Sequence, residues 1–219
     1  MNLDFSQIVP SIPFMIKGIW VTLQIVSVSL IIGFILGTIL SIFKISKFTV
    51  LRLFADAYTS LFRGTPLILQ LFLFYYATPQ LTGIMITAYA ASVLTFGLNS
   101  AAYVSEIIRA GIQAVDKGQQ EAAEALGVPY RQILLNIILP QAIKNILPAL
   151  MNEFITLTKE SAIVATIGVL DVMRRAQIVT AEKYIAFEPL MFAALMYYIL
   201  VMGLTLLGRI LERRLRRSD

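Results

Sequence analysis

The sequence predicts an all-α membrane protein, a single transmembrane domain over residues 1–219 with about five transmembrane helices. Of its 219 residues, 58% are hydrophobic, whereas soluble domains are typically about 45–50% apolar. The mean hydropathy is +0.79, and basic residues stand beside long runs without charge. An apolar excess of this size indicates lipid rather than water around the chain.

Apolar segments long enough to cross a bilayer recur along the chain, since a spanning helix needs roughly 20 such residues. Residues 18–43 contain no charge at all. The second segment is interrupted by Arg63-Gly64-Thr65-Pro66, which predicts a break in its helix. The predicted helices cover residues 18–43, 51–77, 84–110, 141–170 and 189–210, with a turn at 78–83 and a mixed-charge loop at 171–188.

The distribution of lysine and arginine predicts the orientation. With the C-terminus inside, twelve basic residues lie in the cytoplasm and only four lie outside, namely Lys17, Arg174, Arg175 and Lys183. Cytoplasmic loops carry an excess of Lys and Arg. We therefore expect the N-terminus outside and the C-terminus in the cytoplasm. The arginines of the tail, which include Arg217, are expected to lie against anionic lipid headgroups.

The composition also excludes several functions. The chain contains neither cysteine nor histidine, so disulfides, thiolate metal sites and Cys or His nucleophiles are excluded. No metal site is predicted. The net charge of +5 is explained by membrane topology rather than by nucleic acid, because the basic residues flank apolar segments. A membrane enzyme is disfavoured, since no paired aspartates stand at one depth.

The polar stretch between the third and fourth segments predicts a short cytoplasmic helix at about residues 116–127. Asp116 can cap its start, with Gln119 completing a capping box. Gly127 can adopt the left-handed conformation that ends a helix, and Pro129 prevents its continuation. A helix this short is not stable alone in water. It needs a surface to pack on, either its own transmembrane helices or a cleft in a partner.

Four blocks of sequence then resemble one family. Glu121-Ala122-Ala123, followed by Gly127, Ile137 and Leu139-Pro140, resembles the cytoplasmic signature of ABC importer permeases. The remaining blocks resemble the polar amino-acid uptake subfamily, the histidine/glutamine/arginine permeases, and they are Arg63-Gly64-Thr65-Pro66-Leu67 with Gln70-Leu71-Phe72, Tyr103-Val104-Ser105-Glu106-Ile107-Ile108-Arg109-Ala110-Gly111, and Lys159-Glu160-Ser161.

The resemblance implies a type I ABC importer permease (MetI-like) fold and a multi-pass subunit of the bacterial cytoplasmic membrane. Such permeases pair as homodimers or heterodimers, receive an amino acid from an extracytoplasmic binding protein, and dock on two ABC ATPase subunits that bind ATP and Mg. This chain is not an enzyme by that comparison, and it has no G-x-x-x-x-G-K-[ST] loop of its own. The predicted ATPase-coupling residues are Glu121, Ala122, Ala123, Glu124 and Gly127.

Polar residues at membrane depth are the candidate substrate ligands, because they are costly there. Counting ~1.5 Å per helical residue places Glu153, Asn99 and Thr65 at similar levels, just below the midplane. Glu160 shares a helix face with Glu153. We expect these acids to bind the substrate's amino group or cationic side chain. We expect the half-helix that begins at Pro66 to face its carboxylate.

Other interpretations fit part of the sequence. Arg63 or Lys159 could neutralise Glu153 or Glu160 in an internal ion pair, and Asn99 could bridge helices. An ATP-independent channel or secondary transporter fits the charge bias but leaves the terminated cytoplasmic helix unexplained. The particular amino acid stays open, as does the choice between homodimer and heterodimer. Selectivity could lie in the membrane cavity or in the binding protein.

Overall fold

The computed structural model describes residues 3–216, and none of these lies in a β-strand. The α-helices in chain order are α1 (Ile12–Ile45), α2 (Thr49–Gly64), α3 (Leu67–Phe72), α4 (Thr78–Thr82), α5 (Ala88–Gln113), α6 (Lys117–Ala125), α7 (Tyr130–Gln132), α8 (Leu139–Glu160), α9 (Val172–Lys183) and α10 (Phe187–Arg216). Short 3-10 helices cover Phe5–Ser11 and Ser161–Ile167, and π-helical turns cover Leu73–Ala77 and Ile133–Ile138. The predicted all-α fold is confirmed.

Three segments of the described chain are long and apolar enough to span a membrane by length and composition. They are Phe5–Ile45, Tyr130–Ile167 and Phe187–Arg214. The other two predicted crossings differ from these. The chain of α2, α3 and α4 is interrupted, and α5 is 26 residues long but carries many polar side chains. The count of five crossings and their orientation therefore stay predictions, and Arg217 lies outside the described residues.

Helix α5 lies at the centre of the bundle, packed along α1 on one side and α8 on the other. Five of its polar side chains are buried inside the protein. Several of these side chains form a hydrogen bond within their own helix. Thr95, for example, donates to the carbonyl of Ala91 at 2.7 Å. A helix enclosed by other helices does not need an apolar surface toward lipid. The buried polar residues are Ser92, Thr95, Asn99, Ser100 and Ser105.

Small residues allow α1 and α5 to approach closely. A Cβ added at Gly33 would lie 2.8 Å from the Cβ of Ser100, and one at Gly37 would lie 2.8 Å from the Cβ of Val104. Interfaces of this kind are typical of packed membrane helices. Large apolar side chains on another face of α1 are exposed, including Ile31, Ile35 and Ile42. Helix α1 therefore faces the bundle with glycine and the surroundings with isoleucine.

The predicted break in the second segment is confirmed. Helix α2 ends at Gly64 and α3 begins at Leu67, with Thr65 in an extended conformation (φ −119°, ψ 146°) between them. Pro66 disfavours the helical conformation for the residue before it, which explains the interruption. The predicted turn at 78–83 is wrong in detail, since residues 78–82 form α4 and only Gly83, at φ +71°, turns the chain.

Several predicted boundaries were also wrong. The third segment begins at Ala88 rather than residue 84, because the side chain of Thr87 caps it through the amide of Ala90. The fourth begins before residue 141, since helical turns run from Tyr130 through Ile138 into α8. The first and fifth segments are likewise longer than predicted, as α1 and α10 show.

The predicted loop at 171–188 is wrong, because residues 172–183 form helix α9. Its start is capped by Asp171, whose Oδ1 accepts a hydrogen bond from the amide of Arg174 at 2.7 Å. The start of α9 lies directly on α1, where a Cβ added at Gly18 would come within 2.6 Å of the nitrogen of Val172. The N-cap pattern of an acid before a helical run was visible in the sequence.

Candidate functional site

A hydrogen-bond network joins the break after α2 to the central helix α5. The side-chain amide of Gln70 donates to the carbonyl of Phe62 at 2.8 Å and to both oxygens of Thr65, at 2.8 Å and 3.1 Å. Asn99 of α5 donates to the same Phe62 carbonyl at 3.1 Å and to Oε1 of Gln70 at 3.0 Å. Both amides are almost fully buried, with Gln70 6% and Asn99 4% exposed.

This network replaces the main-chain bonds that the break removes. Unpaired backbone groups inside a membrane are costly, so an interrupted helix needs side chains that satisfy them. Thr65 and Asn99 were predicted as substrate ligands, and here both are bonded to protein groups. The bridging role considered for Asn99 is the one observed. Gln70 was missed, although a glutamine inside the apolar run of residues 67–77 is the signal that could have revealed it.

Glu153 of α8 lies beside this network. Its side chain is 8% exposed, and Oε1 accepts a hydrogen bond from the hydroxyl of Ser100 at 3.0 Å. Ser100 directly follows Asn99, so two consecutive residues of α5 donate hydrogen bonds, one to the helix break and the other to the acid. Over residues 3–216, neither Arg63 nor Lys159 forms an ion pair with Glu153. Within the described residues, the internal ion pair considered from the sequence is therefore not formed at Glu153.

Glu160 lies in a different environment from Glu153. Both acids and the half-buried Thr156 share one face of α8, but Glu160 is exposed at the end of that helix. The four predicted substrate residues are therefore not one hydrogen-bonded group. Thr65 and Asn99 belong to the network at the break, Glu153 is held by Ser100, and Glu160 stands apart.

A cluster of charges ties α1, α2 and α5 together at the end of α5 that leads to α6. The side chain of Lys44, only 6% exposed, lies 3.1 Å from Asp56 and also pairs with Glu106. It donates to the hydroxyl of Thr59 at 2.8 Å. Arg109 binds the other oxygen of Glu106 at 2.6 Å. Each charge thus has a partner, which supports the structural role expected for Glu106 and Arg109.

The short helix α6 has the predicted start and stop signals. Oδ1 of Asp116 accepts the amide of Gly118 at 2.8 Å. At the other end Gly127 takes φ +74°. Its amide bonds the carbonyl of Glu124 at 2.9 Å, and the next amide bonds that of Ala123 at 3.1 Å. This pair of bonds is the Schellman motif. Among the described residues, the Gln119 side chain does not form the predicted capping-box hydrogen bond with the amide of Asp116.

Helix α6 uses opposite faces for different contacts. Ala123 is buried against Ile133 and Ile138, so this predicted coupling residue packs on its own chain. Three predicted coupling residues on the other face are exposed, together with Leu126 at 83%. These residues are Glu121, Ala122 and Glu124, and Gly127, just past the end of the helix, is exposed as well. The helix is therefore anchored by one face and leaves a short, partly acidic surface free.

The helical bundle with an interrupted helix, a buried acid within a candidate membrane span and a capped helix outside the candidate spans is consistent with a membrane transport subunit. The comparisons with known proteins agree. The family model described as "Binding-protein-dependent transport system inner membrane component" matches residues 29–217. The chain belongs to this family.

Relatives and solved structures match over nearly the whole chain. The chain is 58% identical over 219 residues to the arginine transport system permease protein ArtQ of Bacillus subtilis (strain 168), covering 100% of each protein. It also resembles a chain in the crystal structure of an amino acid ABC transporter with histidines, at TM-score 0.94 and 43% identity, covering 98% of this chain and 100% of that one.

The fold is shared more widely. An inward-facing structure of the MetNI methionine ABC transporter matches at TM-score 0.76 and 22% identity, covering 94% of this chain and 98% of that chain. An identity this low supports the fold alone. The MetI-like fold expected from the sequence is thus confirmed, and the chain is a membrane component of an ABC transport system.

Proposed function

We propose that this chain is the translocation subunit of an ATP-driven importer of polar or basic amino acids in the bacterial cytoplasmic membrane. Its full-length likeness to an arginine permease supports the amino-acid class. The observation that carries the preference for basic amino acids is Glu153, a buried acid with a single hydroxyl partner and no cation beside it in the described chain.

The missing partner of Glu153 is a positive charge. A carboxylate at membrane depth is costly unless it is paired. The substrate's ammonium or cationic side chain supplies that charge when the site is occupied. Ser100 fixes one oxygen and leaves the other for the substrate. Asn99 and Thr65 border the site at the helix break, and Glu160 continues the acidic face of α8 beyond it.

Helix α6 is the proposed contact with the ATPase. Two ABC ATPase subunits, which bind the ATP and Mg, each receive one such helix from a pair of permeases. The exposed Glu121, Ala122, Glu124 and Leu126 offer the docking surface, whereas Ala123 packs the helix on its own chain and Gly127 ends it. Closure of the ATPase pair then displaces α6 and tilts the transmembrane helices as rigid bodies.

The remaining partners follow from the family's transport system. A second permease chain, identical or related, completes the translocation path, and an extracytoplasmic binding protein delivers the amino acid. The proposed orientation, with the N-terminus outside and the C-terminus in the cytoplasm, places α6 on the ATPase side. Membrane lipid surrounds the exposed isoleucines of α1 and the basic end of α10.

The test is ATPase activity of the reconstituted permease–ATPase complex, with amino acids presented by their binding protein. Arginine and lysine are expected to stimulate the wild type, and Glu153→Gln is expected to lose that response while the complex still assembles on size exclusion. Glu182→Gln, an exposed acid on α9, is the matched control. A wild-type response in Glu153→Gln would contradict the acidic site. Uptake that runs without ATP would support a channel or secondary transporter.

A further inference from the structure

Arg63 is a cation at the helix break that the proposed site leaves unused. It is the second-last residue of α2, and its side chain is exposed. Its guanidinium carbon lies 5.4 Å from the centroid of the Tyr103 ring, within the range of a cation–π contact. It has no carboxylate partner in the described part of the chain. Arg63 is therefore positioned by an aromatic ring rather than neutralised by an acid.

The α5 partners of this cation and of the buried acid lie within one helical turn of each other. Asn99 binds the carbonyl of Phe62, the residue before Arg63, while Ser100 binds Glu153. Tyr103 lies three residues further, about 4.5 Å along the helix axis and on the same face as Ser100. The stretch from Asn99 to Tyr103 thus holds a carboxylate at one end and a guanidinium at the other.

We infer that Arg63 binds the α-carboxylate of the transported amino acid while Glu153 binds its cationic end, an assignment that rests on the proposed function. A guanidinium presents a fork of N–H donors that matches a carboxylate with two parallel hydrogen bonds. Stacking on Tyr103 occupies the face of the group and leaves those edge donors free. Tyr103 is accordingly a positioning residue.

Arg63 is a better carboxylate ligand than the start of α3, which the sequence suggested. A helix N-terminus carries the equivalent of only about half an elementary charge. The amides of Leu69 and Gln70 already bond the carbonyl of Pro66, at 3.0 Å and 3.2 Å. A full guanidinium charge on the same break offers a stronger and more directional partner for an anion.

The experiment compares two ligands that differ only at the carboxylate. L-Arginine and L-argininamide are titrated by calorimetry into the purified permease–ATPase complex without nucleotide or binding protein. Wild type is expected to bind L-arginine about 10- to 100-fold more tightly than the amide, the range of a charge-assisted hydrogen bond. Arg63→Gln is expected to abolish that difference by weakening L-arginine alone. Glu153→Gln is expected to weaken both ligands.

Controls separate ligand binding from structural damage. Arg52→Gln removes an exposed charge from the same helix and should leave both affinities unchanged. Tyr103→Phe keeps the ring and should match wild type, whereas Tyr103→Leu should shift L-arginine binding in the direction of Arg63→Gln. Equal effects of Arg63→Gln on both ligands, or no effect on either, would overturn the assignment. Binding of neither ligand by wild type would overturn the proposed substrate class as well.

Discussion

Gln70 is the residue whose loss should most weaken the site's framework. Gln70→Leu keeps a side chain of similar length but removes every hydrogen bond that the amide makes: two to Thr65, one to the carbonyl of Phe62 and one from Asn99. Hydrogen bonds between membrane helices average about 0.6 kcal/mol and reach about 1.7 kcal/mol. We therefore expect a destabilisation of about 2–3 kcal/mol, with the carbonyl of Thr65 left unpaired inside the protein.

A double-mutant cycle isolates the bond between the two amides. Gln70→Leu, Asn99→Leu and the double variant are compared by thermal unfolding of the detergent-solubilised permease–ATPase complex. The two changes should be non-additive by about 0.6–1.7 kcal/mol, because each single variant already breaks the shared bond. Gln141→Leu is the matched control, since Gln141 makes one bond, to the carbonyl of Ile137 at 3.0 Å.

Two outcomes would refute this reasoning. One is an unfolding temperature for Gln70→Leu no lower than that of Gln141→Leu, which would mean that the break is held by packing rather than by the amide network. The other is strict additivity of Gln70→Leu and Asn99→Leu. Either would show that the short distances do not carry the stability of the interrupted helix.

Three further predictions concern α9, α6 and the α1–α5 contact. Asp171 lies outside the spanning segments, and burial raises its pKa to about 6 from 3.8. Because the folded state binds the proton more tightly than the unfolded state, the free energy of unfolding falls by up to about 3 kcal/mol as the pH rises from 4 to 6. Thermal unfolding of Asp171→Asn should lack this slope. Gly127→Ala forces an alanine to φ +74°, which costs about 1 kcal/mol and should lower substrate-stimulated ATPase activity severalfold. Gly33→Ala places a Cβ 2.8 Å from the Ser100 hydroxyl. We expect the hydroxyl to be displaced from Glu153, which should weaken L-arginine binding in titrations.

A specific result would contradict each of these predictions. A pH slope in Asp171→Asn equal to that of wild type would assign the titration to another group. Wild-type substrate-stimulated ATPase activity in Gly127→Ala would show that the end of α6 tolerates distortion. Unchanged binding in Gly33→Ala would show that α1 and α5 separate without moving Ser100.

Local chemistry made part of this structure predictable. The interruption at Pro66 follows from the conformation that proline imposes on Thr65. The ends of α6 follow from Asp116 and Gly127, whose capping requirements involve only neighbouring residues. Glu153 was identifiable because a charge at membrane depth is rare. In each case the physical cause lies within a few residues of the feature.

The partners of these residues were not predictable, because they come from distant parts of the chain. Gln70 and Asn99 are 29 residues apart, and Ser100 and Glu153 are 53 apart. The buried polar side chains of α5 were not predictable as such either, since burial among helices rather than lipid contact determines which side chains this helix tolerates. Helix α9 was missed for a related reason: it packs on Gly18, and its mixed composition resembles a loop.

The order of residues along α5 suggests how α6 can influence the site. Helix α5 ends at Gln113 and α6 begins at Lys117, so Ser100 and α6 belong to one nearly continuous piece of chain. From Ser100 to Gln113 the helix measures about 20 Å. Lys44 of α1 pairs with Glu106 of α5 and with Asp56 of α2, and these ion pairs brace the end of α5 that leads to α6 against both helices. A helix braced in this way moves as a unit. We therefore expect a displacement of α6 to reach Ser100 and its partner Glu153 with little loss, which couples the acid's position to the ATPase contact without a separate relay.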